Sequence, residues 1–138
     1  MLEGDELSVI EKLAILLAED NIINQKVAAR ILEKKNHSVK VVSNGEEAVK
    51  AVSNGSFDVV LMDIQMPVLD GLEATKKIRS MELDHLANIP IVALTAHAMN
   101  GDRERFIEAG MDDYSSKPFN AEELIATIER VVRDRKSR

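Results

Sequence analysis

The chain of 138 residues has no cysteine and no tryptophan, three prolines, six glycines and only 3% aromatic residues. The missing cysteines exclude disulfides, thiolate metal centres and cysteine nucleophiles. So few aromatics leave no platform on which single-stranded bases would stack. Long apolar runs are missing too. The longest, Leu13 to Ala18, has six residues, against about 20 for a membrane-spanning helix. The opening MLEGDELSVIEK has no basic start followed by an apolar core, so no secretory signal is expected and a cytoplasmic location fits. None of the six glycines stands in GxG or P-loop spacing, which argues against nucleotide and flavin modules. The net charge of -6 disfavours nucleic acid as a partner and suits a protein that collects a divalent cation.

What is present is the profile of one ordinary globular domain, 45% apolar and 30% charged. Short runs rich in Val, Ile and Leu occur at Leu13–Ala18, Val39–Val42, Phe57–Met62 and Ile89–Leu94, with a weaker one at Met111–Ser115. Runs of this length, bounded by polar residues, suit strands buried on both faces of a sheet. Between them lie helical spacings: Ile23, Val27 and Ile31 with Ala28 and Leu32, then Leu72, Thr75 and Ile78, and later Leu124, Ile128 and Val131. Asn44 with Glu47, Asp70 with Glu73, and Asn120 with Glu123 resemble capping boxes, and Gly55 and Gly110 stand where helices should stop. The order reads βαβαβαβαβα. It implies an α/β fold with a doubly wound parallel sheet, right-handed crossovers and helices on both faces. Residues 1–11 and 135–138 read as flanks around a domain over 12–134.

In open α/β sheets ligands bind beyond the carboxyl ends of the strands. Four of the five runs deliver a charged or hydroxyl group to that edge: Glu19 and Asp20 after the first, Asp63 after the third, Thr95 after the fourth, and Lys117 after the fifth. Singly, each is more often a helix cap, a turn residue or a solvated charge. Together on one edge they suggest a site. Clustered carboxylates repel unless a cation neutralises them, and Mg²⁺ suits such a set of hard oxygens. A lysine and a hydroxyl opposite would hold further oxygens of a phosphoryl group, and an Asp can itself be the nucleophile.

The strings LLAEDN, MDIQMPVLDG, ALTA and DDYSSKPF, in this order, resemble the receiver domain of two-component response regulators. The resemblance covers roughly residues 12 to 134. It implies a flavodoxin-like five-stranded sheet in the order 2-1-3-4-5 with five flanking helices. It further implies that Asp63 accepts a phosphoryl group from a phosphohistidine, and that Asp20 ligates Mg²⁺ directly while Glu19 acts mainly through water. The backbone carbonyl of Gln65 completes the protein ligands. Thr95 corresponds to the switch hydroxyl, Tyr114 to the aromatic that moves with it, and Lys117, before a cis Pro118, to the lysine on the phosphoryl oxygens. The Gln65 and His97 side chains correspond to positions that tune phosphoryl lifetime. Met66, Pro67, Asp70 and Gly71 shape the acceptor loop without chemistry. Asp102 reads as the start of a helix and not as part of the acidic site, and His37 and His85 read as surface residues.

The implied partners are a histidine kinase or a histidine phosphotransfer domain, with no nucleic acid, membrane contact or organic cofactor. The domain is not itself expected to be an enzyme, beyond mediating its own phosphorylation and dephosphorylation. Haloacid-dehalogenase-type phosphatases place Asp-x-Asp after the first strand, where this chain has Glu19-Asp20-Asn21. A receiver-like domain that takes no phosphate would lack some of the residues present here. The wording around Asp63 and Thr95 resembles receivers attached to hybrid sensor histidine kinases, so a domain excised from such a kinase is expected ahead of a stand-alone regulator.

Overall fold

Four of the five apolar runs become strands that start one or two residues late, three of them for evident local reasons, while the second starts one residue early, at Ser38. Leu13 donates its N–H to the His37 Nδ1 at 3.0 Å, outside the ladder. Asp58 is held by a side-chain bond to the Ala14 N–H at 2.8 Å. Pro90 has no N–H to give and contributes only its carbonyl, to Val60 N at 2.9 Å. The computed structural model describes residues 12–96 and 102–136. Among these, the strands are β1 (Ala14–Ala18), β2 (Ser38–Val42), β3 (Val59–Asp63), β4 (Ile91–Thr95) and β5 (Asp113–Ser116). The helices are α1 (Ile22–Lys34), α2 (Gly45–Asn54), α3 (Gly71–Arg79), α4 (Asp84–Ala87), α5 (Asp102–Ala109) and α6 (Ala121–Lys136).

The strands form one sheet in the order β2-β1-β3-β4-β5, every neighbouring pair parallel. Successive side chains point to opposite faces, so each central strand feeds two cores. On one face Leu16, Val60, Met62 and Ile91 pack with Ala48 and Val52 of α2, Ala74 and Ile78 of α3, and Phe106 of α5. On the other, Ile15, Leu17, Leu61 and Leu94 pack with Ala28 and Leu32 of α1 and with Leu124 and Ile128 of α6. The expected doubly wound fold and strand order are therefore observed. The helix tally differs from five by α4, a single turn with no buried residue and no apolar period to betray it. No helix among the described residues is long and apolar enough to cross a membrane.

The three caps form as the sequence suggests: Asn44, Asp70 and Asn120 accept from the N–H of Glu47, Glu73 and Glu123 at 2.8, 2.9 and 2.9 Å. Gly110 closes α5 at φ 107°, but Gly55 ends α2 in an extended conformation at φ -124°, so it is not a left-handed cap. His37 is not a surface residue. It is buried between α1 and β2, and burial, against attraction from Glu129 and Asp58, lowers its pKa so that the neutral ring accepts the Leu13 N–H. His85 lies exposed on α4.

The loop after β3 is strained at one residue. Leu69 N donates to Pro67 O at 2.7 Å across Val68, whose φ is 70°. This is a γ-turn of the rare positive-φ kind, at a β-branched residue that is 74% exposed. Strain of this sort costs about 1–3 kcal/mol. Val68→Asn, which tolerates the conformation and gives up no buried area, is expected to stabilise the protein by about 1 kcal/mol in urea titration. An unchanged or lowered midpoint would mean that Val68 is not strained.

Candidate functional site

Parallel strands end at a common edge, and there the site assembles. Glu19 and Asp20 follow β1, Asp63 closes β3, Thr95 closes β4 and Lys117 follows β5. All five line one cleft of about 590 Å³, together with Gln65 and with Asn21 and Asn24 at the start of α1. The backbone fixes their spacing. Glu19 N donates to Val42 O at 3.0 Å, Ile64 N to Leu94 O at 3.1 Å, and Lys117 N to Thr95 O at 2.8 Å. Behind the acceptor loop Gly71 N donates to Ile64 O at 3.0 Å. A Cβ on Gly71 would stand 2.1 Å from the Asp63 carbonyl oxygen, so any other residue would displace the end of β3. The Lys117–Pro118 bond is cis, as the resemblance implies.

Lys117 reaches between two carboxylates, its Nζ 2.8 Å from Glu19 Oε1 and 3.2 Å from Asp63 Oδ1. Burial opposes the ammonium charge, but bonding and attraction from Glu19 and Asp63 outweigh it and hold its pKa above the ordinary value. Glu19 is 0% exposed. Its Oε2 accepts the Asn21 N–H at 3.1 Å, while Oε1 sits against Lys117 without a well-directed hydrogen bond. Asp63 is buried, and its Oδ1 accepts the Gln65 N–H at 3.2 Å. Burial first, then repulsion from Glu19, push its carboxyl up to about 6, against the pull of Lys117 and the Gln65 N–H. One cation for the buried pair and the neighbouring Asp20 leaves a negative deficit.

That deficit fits a small hard cation. Carboxylate oxygens of Glu19, Asp20 and Asp63 all lie within 4.8 Å of one another. An octahedral Mg²⁺ site has oxygens at 2.0–2.1 Å, so trans ligands are about 4.1 Å apart. The donors are all oxygen, and one of them, Asp20, is exposed at the mouth of the cleft. Hard oxygen donors with room for water are what Mg²⁺ prefers.

Of the other expected residues, Gln65 is exposed at the rim of the cleft. Tyr114 is half-buried beside it and does not line it. Its ring packs at a tilt on Phe106, with centroids 6.1 Å apart. His97 lies outside the described residues. Asp102 does begin α5, as expected, and it also lines the cleft with Arg105 and Phe106. It is not among the three carboxylates that come together. Arg105 and Phe106 have no strand-end signal, since they depend on how α5 lies across the edge. The helical spacing around Ile23, Val27 and Ile31 does give α1, and the structure shows which face of it is buried. Ala28 and Leu32 form the buried face of α1, whereas Ile23 is 71% exposed and Val27 is exposed beside it.

Comparison with known proteins gives this geometry a family. The profile described as "Response regulator receiver domain" matches residues 15–129. A hybrid signal transduction histidine kinase I of Dictyostelium discoideum is 44% identical over 119 residues, 83% of this chain and 7% of that protein. The chain spans between 5% and 18% of the length of such curated relatives. The receiver domain of a Pseudomonas aeruginosa sensor histidine kinase, solved with a magnesium ion coordinated in its active site cleft, is 42% identical. It superposes with a TM-score of 0.80 over 88% of this chain and 98% of that one. The receiver domain of the Saccharomyces cerevisiae response regulator Ssk1, solved with the histidine phosphotransfer protein Ypd1, is 37% identical. Its TM-score is 0.80 over 87% of this chain and 88% of that one. A match that runs from β1 into α6 over a shared fold leaves one conclusion: this chain belongs to the response regulator receiver domain family.

Proposed function

We propose that this domain, over residues 12–134, accepts a phosphoryl group from a phosphohistidine onto Asp63 and changes conformation in response. The observation that carries the reading is the buried Asp63 carboxylate at a strand end, 3.2 Å from the Lys117 ammonium and within reach of two further carboxylates. In the transfer an Asp63 oxygen forms the new bond to phosphorus as the bond to the donor imidazole nitrogen breaks, and the imidazole leaves neutral after taking up a proton. Asp20 and Asp63, with Glu19 through water and the Gln65 backbone carbonyl, would hold Mg²⁺. Bound there, Mg²⁺ neutralises the carboxylates and the charge on the phosphoryl oxygens. Lys117 holds a phosphoryl oxygen, Thr95 turns its hydroxyl toward another, and Tyr114 moves into the space behind it. The face made by α5, β5 and α6 shifts as a two-state equilibrium biased by the new charge. The side chains of Gln65 and His97 set how readily water reaches the acyl phosphate. The domain positions its own phosphorylation and dephosphorylation and is not a turnover enzyme.

The parent protein is a hybrid sensor histidine kinase on this reading, with the domain on the cytoplasmic side and a histidine phosphotransfer protein as partner. Support comes from relatives of that description and from the Ssk1 receiver solved with its phosphotransfer protein. It also comes from α1, where Ile22 and Ile23, 63% and 71% exposed, stand beside the cleft that Asn21 and Asn24 line. Exposed apolar side chains at the rim of a site suit a docking protein.

The test is transfer from a phosphorylated histidine phosphotransfer protein, compared with acetyl phosphate as small donor. Ile23→Asp is expected to slow the protein donor by about tenfold and to leave acetyl phosphate within about twofold. Equal effects on both donors would remove α1 from the docking surface. A wild-type domain that accepts from neither would overturn the acceptor reading.

A further inference from the structure

The cleft holds a second cation that the proposed transfer leaves without a role. Lys117 is committed to Glu19 and Asp63. Arg105, in the first turn of α5, lines the same cleft, and its Nη1 lies 3.0 Å from Asp102 Oδ1. The plain explanation is an i,i+3 surface pair, with the Arg105 side chain 57% exposed, of the kind that adds little stability. Two observations go beyond it. A cation in the first helical turn gains nothing from the helix dipole, which favours the acids Asp102 and Glu104 there. The charge balance of the cleft points the same way. Among the described lining residues, four carboxylates face two cations, so a bound divalent ion brings the cleft to neutrality. Converting the Asp63 carboxylate to an acyl phosphate then adds roughly one further negative charge. Arg105 is the cation not already paired with the acceptor carboxylates. Its planar fork matches phosphoryl oxygens. Its bond to Asp102 is exposed and weak, and Asp102 remains favoured at the helix N-terminus without it.

We propose that Arg105 is a phosphoryl-positioning residue of the acceptor cleft, held on Asp102 in the unphosphorylated protein and drawn to the phosphoryl oxygens once Asp63 is modified. The inference rests on the acceptor reading of Asp63. No covalent bond changes in this step. One ion pair is exchanged for another, which pulls the first turn of α5 toward the acceptor edge.

The test is the affinity of the domain for beryllofluoride, a mimic of a phosphoryl group on aspartate, measured calorimetrically at saturating Mg²⁺. Arg105→Gln is expected to weaken binding by about five- to tenfold, with Arg105→Lys between it and wild type. Asp102→Asn, which releases Arg105, is expected to tighten binding by about two- to threefold. For Mg²⁺ alone the Arg105→Gln cleft, with one cation fewer, is expected to bind up to about twofold more tightly. A purely structural role would instead weaken both ligands together. Wild-type binding with Arg105→Gln inside a factor of two would overturn the inference alone, as would an equal loss in Arg105→Gln and Asp102→Asn. Wild-type protein that fails to bind beryllofluoride at all would overturn the acceptor reading and this inference with it.

Discussion

Arg79→Met is expected to destabilise the domain by about 3–4 kcal/mol, because it removes a largely buried guanidinium that holds four acceptors. Arg79 ends α3 at the edge of the sheet opposite the acceptor. Its Nε donates to Gly110 O at 2.8 Å, its Nη1 to Ala87 O and Ile89 O at 2.8 and 2.7 Å, and its Nη2 to Asp112 Oδ2 at 3.0 Å. Asp112 in turn accepts the Ile91 N–H at 2.8 Å. One guanidinium thus ties the ends of α3, α4 and α5 to the starts of β4 and β5. Both partners of the ion pair are largely buried, 18% and 14% exposed. Methionine keeps most of the packing but leaves a carboxylate and three carbonyls short of a donor. Gly110 belongs to the same arrangement: its φ of 107° would strain any other residue, and a Cβ there would meet Arg79 Cγ at 2.8 Å. Urea titration gives the measurement, with a midpoint shift of about 2 M at an ordinary m-value. Lys76→Met, which removes only the exposed pair with Glu73, is the control and is expected to cost under about 0.5 kcal/mol. An Arg79→Met loss as small as the control's would mean the network carries no stability.

Asp63→Asn should do the opposite in the absence of divalent cations and make the domain more stable at neutral pH. The Asp63 carboxyl is raised from 3.8 to about 6 in the folded protein, by burial first and Glu19 second. The folded state therefore binds the proton more tightly than the unfolded chain does. The contribution of a raised carboxyl is fully present below the unfolded value near 4 and is lost as pH climbs through about 6. Above that pH wild type bears a charge that its fold disfavours, and asparagine does not. A gain on the order of 2 kcal/mol is expected for Asp63→Asn at pH 7.5, shrinking toward zero below about pH 4. Thermal unfolding in chelator across that range measures it. Added Mg²⁺ should stabilise wild type, and Asp63→Asn much less, because a ligand that binds only the folded state shifts unfolding by mass action. A gain that grows toward low pH would reverse the sign of the account.

The acceptor edge was legible because a parallel sheet brings every strand's carboxyl end to one side, so the residue that follows each apolar run is placed by topology alone. Glu19, Asp63, Thr95 and Lys117 needed nothing more. Residues contributed by helices were harder to read. Arg105 and Phe106 reach the cleft through the tilt of α5, which no local spacing encodes. On α1 the regular stripe Ile23–Val27–Ile31 and the neighbouring Ala28–Leu32 both satisfy a helical period, and periodicity does not say which faces the sheet. The small and medium residues Ala28 and Leu32 won the core, which leaves Ile22 and Ile23 on the surface. His37 was misread because one histidine in a polar stretch gives no hint that an unpaired strand-end N–H will seek its Nδ1. The positive φ of Val68 was hidden for a related reason, since the residue type argues against the conformation that the loop imposes.

The central claim is that Asp63 is the nucleophile and that its reaction needs Mg²⁺. Intact mass after incubation with acetyl phosphate and Mg²⁺ tests it most directly, run beside Asp63→Asn and a chelated sample. The expected result is the gain of a single phosphoryl group in wild type with Mg²⁺ and none in either control. A gain that persists in Asp63→Asn, or without Mg²⁺, would contradict the account.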